Sequence, residues 1–196
     1  MAQRTAEVSR ETKETKVFVR LNIDGHGEAD VATGIGFFDH MLAQLAKHGV
    51  FDICVRAEGD LEVDFHHVVE DTGIALGRAF AQALGEKANI ARFGSAAVPM
   101  DECLVLAAVD LSGRPYCHVD VHVEPDKVGQ FDTELLTEFM RALAHNGGMN
   151  LHLRMLSGGN AHHVLEATFK ALARALDEAT RIDERRQGVP STKGVL

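Results

Sequence analysis

Apolar and polar positions along this chain change period in the same way twice. "KVFVRLNI", residues 16–23, alternates and is rich in β-branched residues, which predicts a strand. "GFFDHMLAQLAKHG", residues 36–49, sets Phe38, Met41, Leu42 and Leu45 on one face at helical spacing, with Gly49 as a stop. "VFDICVRAEG", residues 50–59, alternates again and predicts a second strand. A long helix is expected over about 66–85, with Asp64 well placed to cap it. In the second half "CLVLAAVDL", residues 103–111, reads as a buried strand, and a helix over about 162–181 has Asn160 in the capping place.

The two passages align. "HHVVEDTGIALGRAFAQAL" from His66 matches "HHVLEATFKALARALDEAT" from His162 without a gap. "MLAQLAKHGVFDICVR" matches "FMRALAHNGGMNLHLR", setting Leu45 on Leu143, Gly49 on Gly147 and Arg56 on Arg154. "VRLNIDG" before Gly25 resembles "AAVDLSG" before Gly113. Three segments in one order indicate a duplication, with copies at about 1–88 and 89–190. Each unit reads β-β-α-β-α, with or without an extra hairpin strand, and two such units packed together give an α+β fold. No linker of Pro, Gly or Ser separates them, so residues 1–196 are expected to form a single domain. The tail "RRQGVPSTKGVL" is short and basic, and is expected to be mobile unless a ligand orders it.

Composition narrows the function. The chain is 45% hydrophobic and 25% charged, ordinary for a globular protein, and carries a net charge of −9. A nucleic acid or an anionic membrane is therefore not an expected partner, and an anionic ligand needs a local basic pocket. No apolar run approaches the roughly 18 residues of a membrane span. The polar N-terminus lacks the apolar core of a signal peptide. Cys54, Cys103 and Cys117 form no CxxC motif and fit the reduced thiols of a cytoplasm. Cys103 and Cys117 read as small core residues. Histidine is the unusual count: 11, against one tyrosine and no tryptophan.

Two of the histidine clusters repeat, as "DFHHVVED" and "NAHHVLEA". Adjacent helical side chains point roughly 100° apart, so the members of a pair cannot grip one ion. His66 and Glu70 share a face while His67 points elsewhere; His162, Glu166 and His163 repeat the arrangement. Two metal sites follow, each needing ligands from further helices of this chain or of neighbouring chains. His40, in "FFDHML", is a further candidate ligand, and Glu138, in "LLTEFM", occupies its place in the second copy. A donor set without thiolate excludes a cysteine-type zinc site. Imidazole with carboxylate favours a Mn or Fe type of ion over Mg. The competing reading has helix-start histidines bonding to loops; two doublets with glutamate at one spacing weigh against it. His26, His118, His122, His145 and His152 read as surface or locally bonded groups.

"GIGFFDHML", "DFHHVVEDTGIALG", "DLSGRPY", "SGGNAHHVLEATFKALARAL" and "STKGVL" occur in this order between about Arg10 and Leu196. Together they resemble the imidazoleglycerol-phosphate dehydratase family of histidine biosynthesis. The resemblance implies a cytoplasmic hydro-lyase that converts D-erythro-imidazole glycerol phosphate into imidazole acetol phosphate and water. It implies a duplicated fold of the ribosomal protein S5 domain 2-like type, and a homo-oligomer of about 24 subunits with active sites at the interfaces. Two Mn2+ ions in each site are implied, on ligands His40, His66, His67, Glu70, His162, His163 and Glu166. Some relatives carry histidine at the place of Glu138, which would bind directly, bind through water or hold a neighbour.

The substrate's carbon proton is not acidic and hydroxide leaves poorly. An imidazole ring beside the reacting carbons is an electron sink, above all as imidazolate. Two ions flanking its two nitrogens would lower the ring N–H pKa, worth several kcal/mol at the transition state. A general base and acid are also needed. By resemblance Glu14, in "RETKETK", is the candidate base, against a reading as charge on a solvated strand edge. Gln44, one turn after His40, is a candidate to bond a substrate hydroxyl; His48 and Asp101 are candidate proton-transfer groups. Arg92, Arg114, Lys170, Ser191 and Lys193 match the family's phosphate contacts, the arginines offering planar forks and the tail residues a closing flap. Solvated surface charge is the rival account. Two other functions remain in play: a metal-assembled, non-catalytic shell, and a di-metal phosphate-ester hydrolase, which would call for bridging aspartates.

Overall fold

The structure, a computed structural model, describes residues 4–124 and 126–196, so the first three residues of the expected first copy lie outside it. The first half runs β1 (Thr5–Glu11), β2 (Thr15–Asn22), β3 (Ala29–Ala32), α1 (Gly36–Gly49), β4 (Asp52–Gly59) and α2 (His66–Leu84). The second runs β5 (Phe93–Met100), β6 (Cys103–Asp110), β7 (Tyr116–Asp120), a ribbon of β8 (Lys127–Val128) and β9 (Phe131–Asp132), α3 (Leu135–Gly147), β10 (Asn150–Ser157) and α4 (Ala161–Thr180).

The duplicated α+β architecture is present, and the strand orders β1-β2-β4-β3 and β5-β6-β10-β7 are the same circuit drawn twice. The pairing refines the expected unit. β1 and β2 form a hairpin, and the added strand, β3, joins the sheet edge parallel to β4; β7 joins β10 in the same sense. β2 buries Thr15, Val17, Val19 and Leu21 and turns Lys16 and Arg20 to solvent, as its alternation predicts. β6 likewise buries Cys103, Val105, Ala107 and Val109 and leaves the other face half-buried.

The helices lie between the two sheets. α2 packs on β1 and β2, α4 packs on β5 and β6, and the shorter helices cross over: α1 lies on α4 and α3 on α2. Phe38 of α1 meets Phe139 of α3 with ring centroids 5.3 Å apart, and Phe139 stacks on Phe169 of α4 at 5.4 Å. All three rings are fully buried in one continuous apolar cluster that spans both halves. Gly77 of α2 sets the α2–α3 distance, since a Cβ there would meet Leu143 O at 2.6 Å.

Helix starts follow the sequence. Asp64 Oδ1 accepts the backbone N–H of His66 at 2.8 Å, and Asn160 Oδ1 accepts that of His162 at 2.9 Å. α1 and α3 both end through a left-handed residue, Val50 (φ 58°) and Gly148 (φ 60°), although only the second is a glycine. The tail is tied to the start of the second half at Gly188 and Pro190. Asn89 N–H donates to Gly188 O, Gly188 N–H donates to Asn89 Oδ1, and Arg92 Nη1 donates to Pro190 O, each at 2.8 Å. Among the described residues no helix is long and apolar enough to cross a membrane.

Candidate active site

The α1–α4 crossing brings side chains from the two halves together. His40 Nε2 of α1 and His162 Nε2 of α4 lie 3.0 and 3.1 Å from Glu166 Oε2, and the three ligand atoms fall within 4.8 Å of one another. Lys170 Nζ, one turn further on, lies 2.6 Å from Glu166 Oε1. Burial raises the Glu166 carboxyl, but the hydrogen bonds from Lys170, His40 and His162 outweigh it and hold it at about 2. As the groups stand, ring N–H bonds from both histidines satisfy one carboxylate oxygen. A divalent cation between them would replace those protons, and two imidazoles with a carboxylate suit it.

α1 extends this cluster as a row. Gln44 Nε2 is 3.5 Å from His40 Nε2, and His48 Nε2 is 3.1 Å from Gln44 Oε1. An amide oxygen only accepts, so His48 Nε2–H donates. Burial and the nearby Lys170 charge push the His48 imidazole below its ordinary value, which keeps it neutral at pH 7.

The second histidine of each doublet points to the hairpin of its own half. His67 Nδ1 lies 3.0 Å from Asp60 Oδ2, and its Nε2 lies 3.8 Å from Glu14 Oε2 at the β1–β2 turn. The Asp60 hydrogen bond raises the His67 imidazole. His163 Nδ1 lies 3.0 Å from Glu102 Oε2, and its Nε2 lies 3.8 Å from Asp101 Oδ2, both acids at the β5–β6 turn. Glu102 is held at about 2, chiefly by the backbone N–H of Asn160. Asp101, Glu102 and His163 form a second group of convergent donors.

Four expected ligands stay apart within one chain. His66, His67 and Glu70 join no group of three convergent donors among the described residues, and Glu138 is paired with Arg141 Nη1 at 3.0 Å. The expected phosphate contacts divide. Arg92, Arg114, Ser191 and Lys193 line one pocket together with Arg186, whereas Lys170 sits at the Glu166 cluster. Arg92 is engaged by Asp110 at 2.7 Å and stacks over the Phe93 ring. Among the described residues, the Arg114 guanidinium and the Lys193 ammonium in this pocket take no hydrogen-bond or ion-pair partner.

The sequence reading missed Asp60, Glu102 and Arg186. Only the alignment of the β1–β2 and β5–β6 turns, which sets Glu102 on Glu14, carried a signal for any of them. Among the remaining histidines, His122 pairs with Asp120 at 3.1 Å and His145 Nδ1 lies 2.9 Å from Arg141 O, both local partners. Tyr116, His152 and His118 form a ring row on the outer face of the second sheet. Cys103 is buried and Cys117 half-buried.

Comparison with known proteins gives a consistent family. Residues 33–176 match the family model described as imidazoleglycerol-phosphate dehydratase. The dehydratase of Thermoanaerobacter pseudethanolicus is 60% identical over 193 residues, covering 98% of this chain and all of that protein. The one from Desulforamulus reducens is 56% identical across the full length of both. Among solved structures, the Staphylococcus aureus enzyme superposes with a TM-score of 0.83 at 36% identity, covering 91% of this chain and 99% of its own. The Pyrococcus furiosus enzyme, crystallised with (S)-C348, gives 0.83 at 42% identity over 96% of this chain and all of its own. Whole-length identity and the same duplicated fold place this chain in the imidazoleglycerol-phosphate dehydratase family, the hydro-lyases of histidine biosynthesis.

Proposed function

We propose that the chain removes water from D-erythro-imidazole glycerol phosphate by a two-metal mechanism, with Mn2+ on histidine and carboxylate ligands. The observation that carries the reading is the meeting of His40 and His162 on Glu166, one donor from the first half and two from the second. His163 points away from that cluster, and His66, His67, Glu70 and Glu138 join no convergent group within the described part of one chain. This supports a homo-oligomer, of 24 subunits by family resemblance, in which a second chain completes each site. We further propose that residues 1–196 act as a single domain in the cytoplasm.

Bound Mn2+ would supply Lewis acidity to the substrate's imidazole ring. Everything else falls to side chains. Glu14, exposed at its turn and next to His67, takes the carbon proton. Gln44, held by neutral His48, donates to a substrate hydroxyl. Asp101 occupies the equivalent turn beside His163 and serves as a proton-transfer group. Arg114, Lys193, Ser191 and Arg92 take the phosphate, with Arg92 also anchoring the tail over it. Lys170 compensates the Glu166 charge.

Removing metal with a chelator should abolish turnover, and Mn2+ should restore it. His67→Ala and His163→Ala should each lose activity. Full turnover in both variants, or in the chelated protein, would refute the two-metal reading. Metal-dependent assembly with no dehydration would favour the shell alternative instead.

A further inference from the structure

We propose that Asp71 is a positioning residue: it clamps the β1–β2 turn so that Glu14 stays beside His67. The proposal rests on Glu14 being the base, as above. Asp71 is buried on α2, next in sequence to Glu70. Its Oδ1 accepts from Arg10 Nε of β1 at 2.8 Å, and its Oδ2 accepts from the hydroxyl of Thr15, the first residue of β2.

The bonds continue to the turn itself. The Thr12 and Thr15 hydroxyl oxygens are 3.2 Å apart. Thr12 Oγ1 accepts the backbone N–H of Glu14 at 3.1 Å and of Thr15 at 2.9 Å. Asp71, Thr15, Thr12 and the Glu14 amide thus form one hydrogen-bonded chain, while the Glu14 side chain remains 58% exposed and 3.8 Å from His67 Nε2.

The duplication supplies an internal control. The two hairpins have the same register, which sets Val98 on Arg10 and Cys103 on Thr15. The doublet alignment sets Ala167 on Asp71. The second half therefore carries apolar side chains at the three matching places, and its hairpin forms all the same. The polar triad is not required by the fold. Burying an ion pair gains little over well-packed apolar residues of similar volume, so its distinctive effect is direction. It fixes one turn relative to the helix that carries His67, as a site needs when a displacement of about 1 Å costs on the order of 100-fold in rate.

The test transplants the apolar corner into the first half as Arg10→Val/Thr15→Cys/Asp71→Ala, alongside Asp71→Asn and Glu14→Gln. The triple variant should fold and assemble, and keep its Mn2+ content and KM. Its kcat should fall about 10- to 100-fold. Amide exchange at Glu14 and Thr15 should quicken at least tenfold in both Asp71 variants. Adding Glu14→Gln to Asp71→Asn should cost no more than Glu14→Gln alone. Unchanged exchange and kcat in the triple variant, or losses that multiply with Glu14→Gln, would overturn the clamp. Full turnover in Glu14→Gln would instead sink the base assignment and, with it, the catalytic consequence of the clamp, whatever the exchange data show.

Discussion

Burial alone would favour the neutral acid at Glu166, yet three nitrogen donors keep it ionised. Glu166→Gln keeps the shape and removes the charge. On the two-metal proposal, Mn2+ affinity should fall at least about 10- to 100-fold, read as metal retained after dialysis; undiminished retention would exclude Glu166 as a ligand. Val50 is the opposite kind of residue. It is β-branched and 46% exposed, and it holds φ 58° where its counterpart is Gly148. The left-handed region costs a side chain roughly 1–2 kcal/mol, so Val50→Gly should stabilise the fold by about 1 kcal/mol, seen as a raised thermal midpoint. Single residues differ sharply in how far the sequence exposes them. The i,i+4 spacing of His162 and Glu166 gave two of the cluster's three donors, and His40 stood out as a further candidate on the earlier helix. Asp60 beside His67 was hidden and Glu102 beside His163 showed only through the turn alignment, because loop geometry and not helical period brings them in.

Helices and strands were legible where pattern is long. The apolar face of α1 and the caps of α2 and α4 stand as read, since a cap needs only its own two or three residues. Asn160→Ala should cost about 1 kcal/mol by leaving the His162 N–H without its acceptor, and should loosen the helix start that aims both histidines of the doublet. The edge strands β3 and β7 left no such signal: "ADVA" and "YCHVD" are short, and their parallel pairing is decided by tertiary placement. Gly77 makes the same point energetically. In an isolated helix Gly→Ala gains about 1 kcal/mol, but here the added methyl would meet the α3 backbone at 2.6 Å. Gly77→Ala should therefore destabilise the protein, and an increase in thermal midpoint would show that α3 yields freely.

For the whole molecule, several carboxyls are depressed together: Glu166 and Asp183 to about 2, and Asp24 below its ordinary value through Arg4. A group whose folded pKa is lowered stabilises above its unfolded value and loses that contribution as pH falls. The unfolded chain then binds protons first. Thermal midpoints should thus hold above about pH 4.5 and decline progressively towards about pH 2; a midpoint unchanged down to pH 3 would contradict the assignment. The tail's anchors, Asn89 and Arg92, lie a whole half away in sequence, so no local pattern announces them. The crossing of α1 onto α4 reaches further still, and that of α3 onto α2 also joins the two halves. A lone half would leave the inner side of its long helix bare, so each half is completed by the other. Within one polypeptide, matching places in the two halves need not carry the same residue. The first half holds His40 and an acid-threonine-arginine corner where the second holds Glu138 and apolar residues.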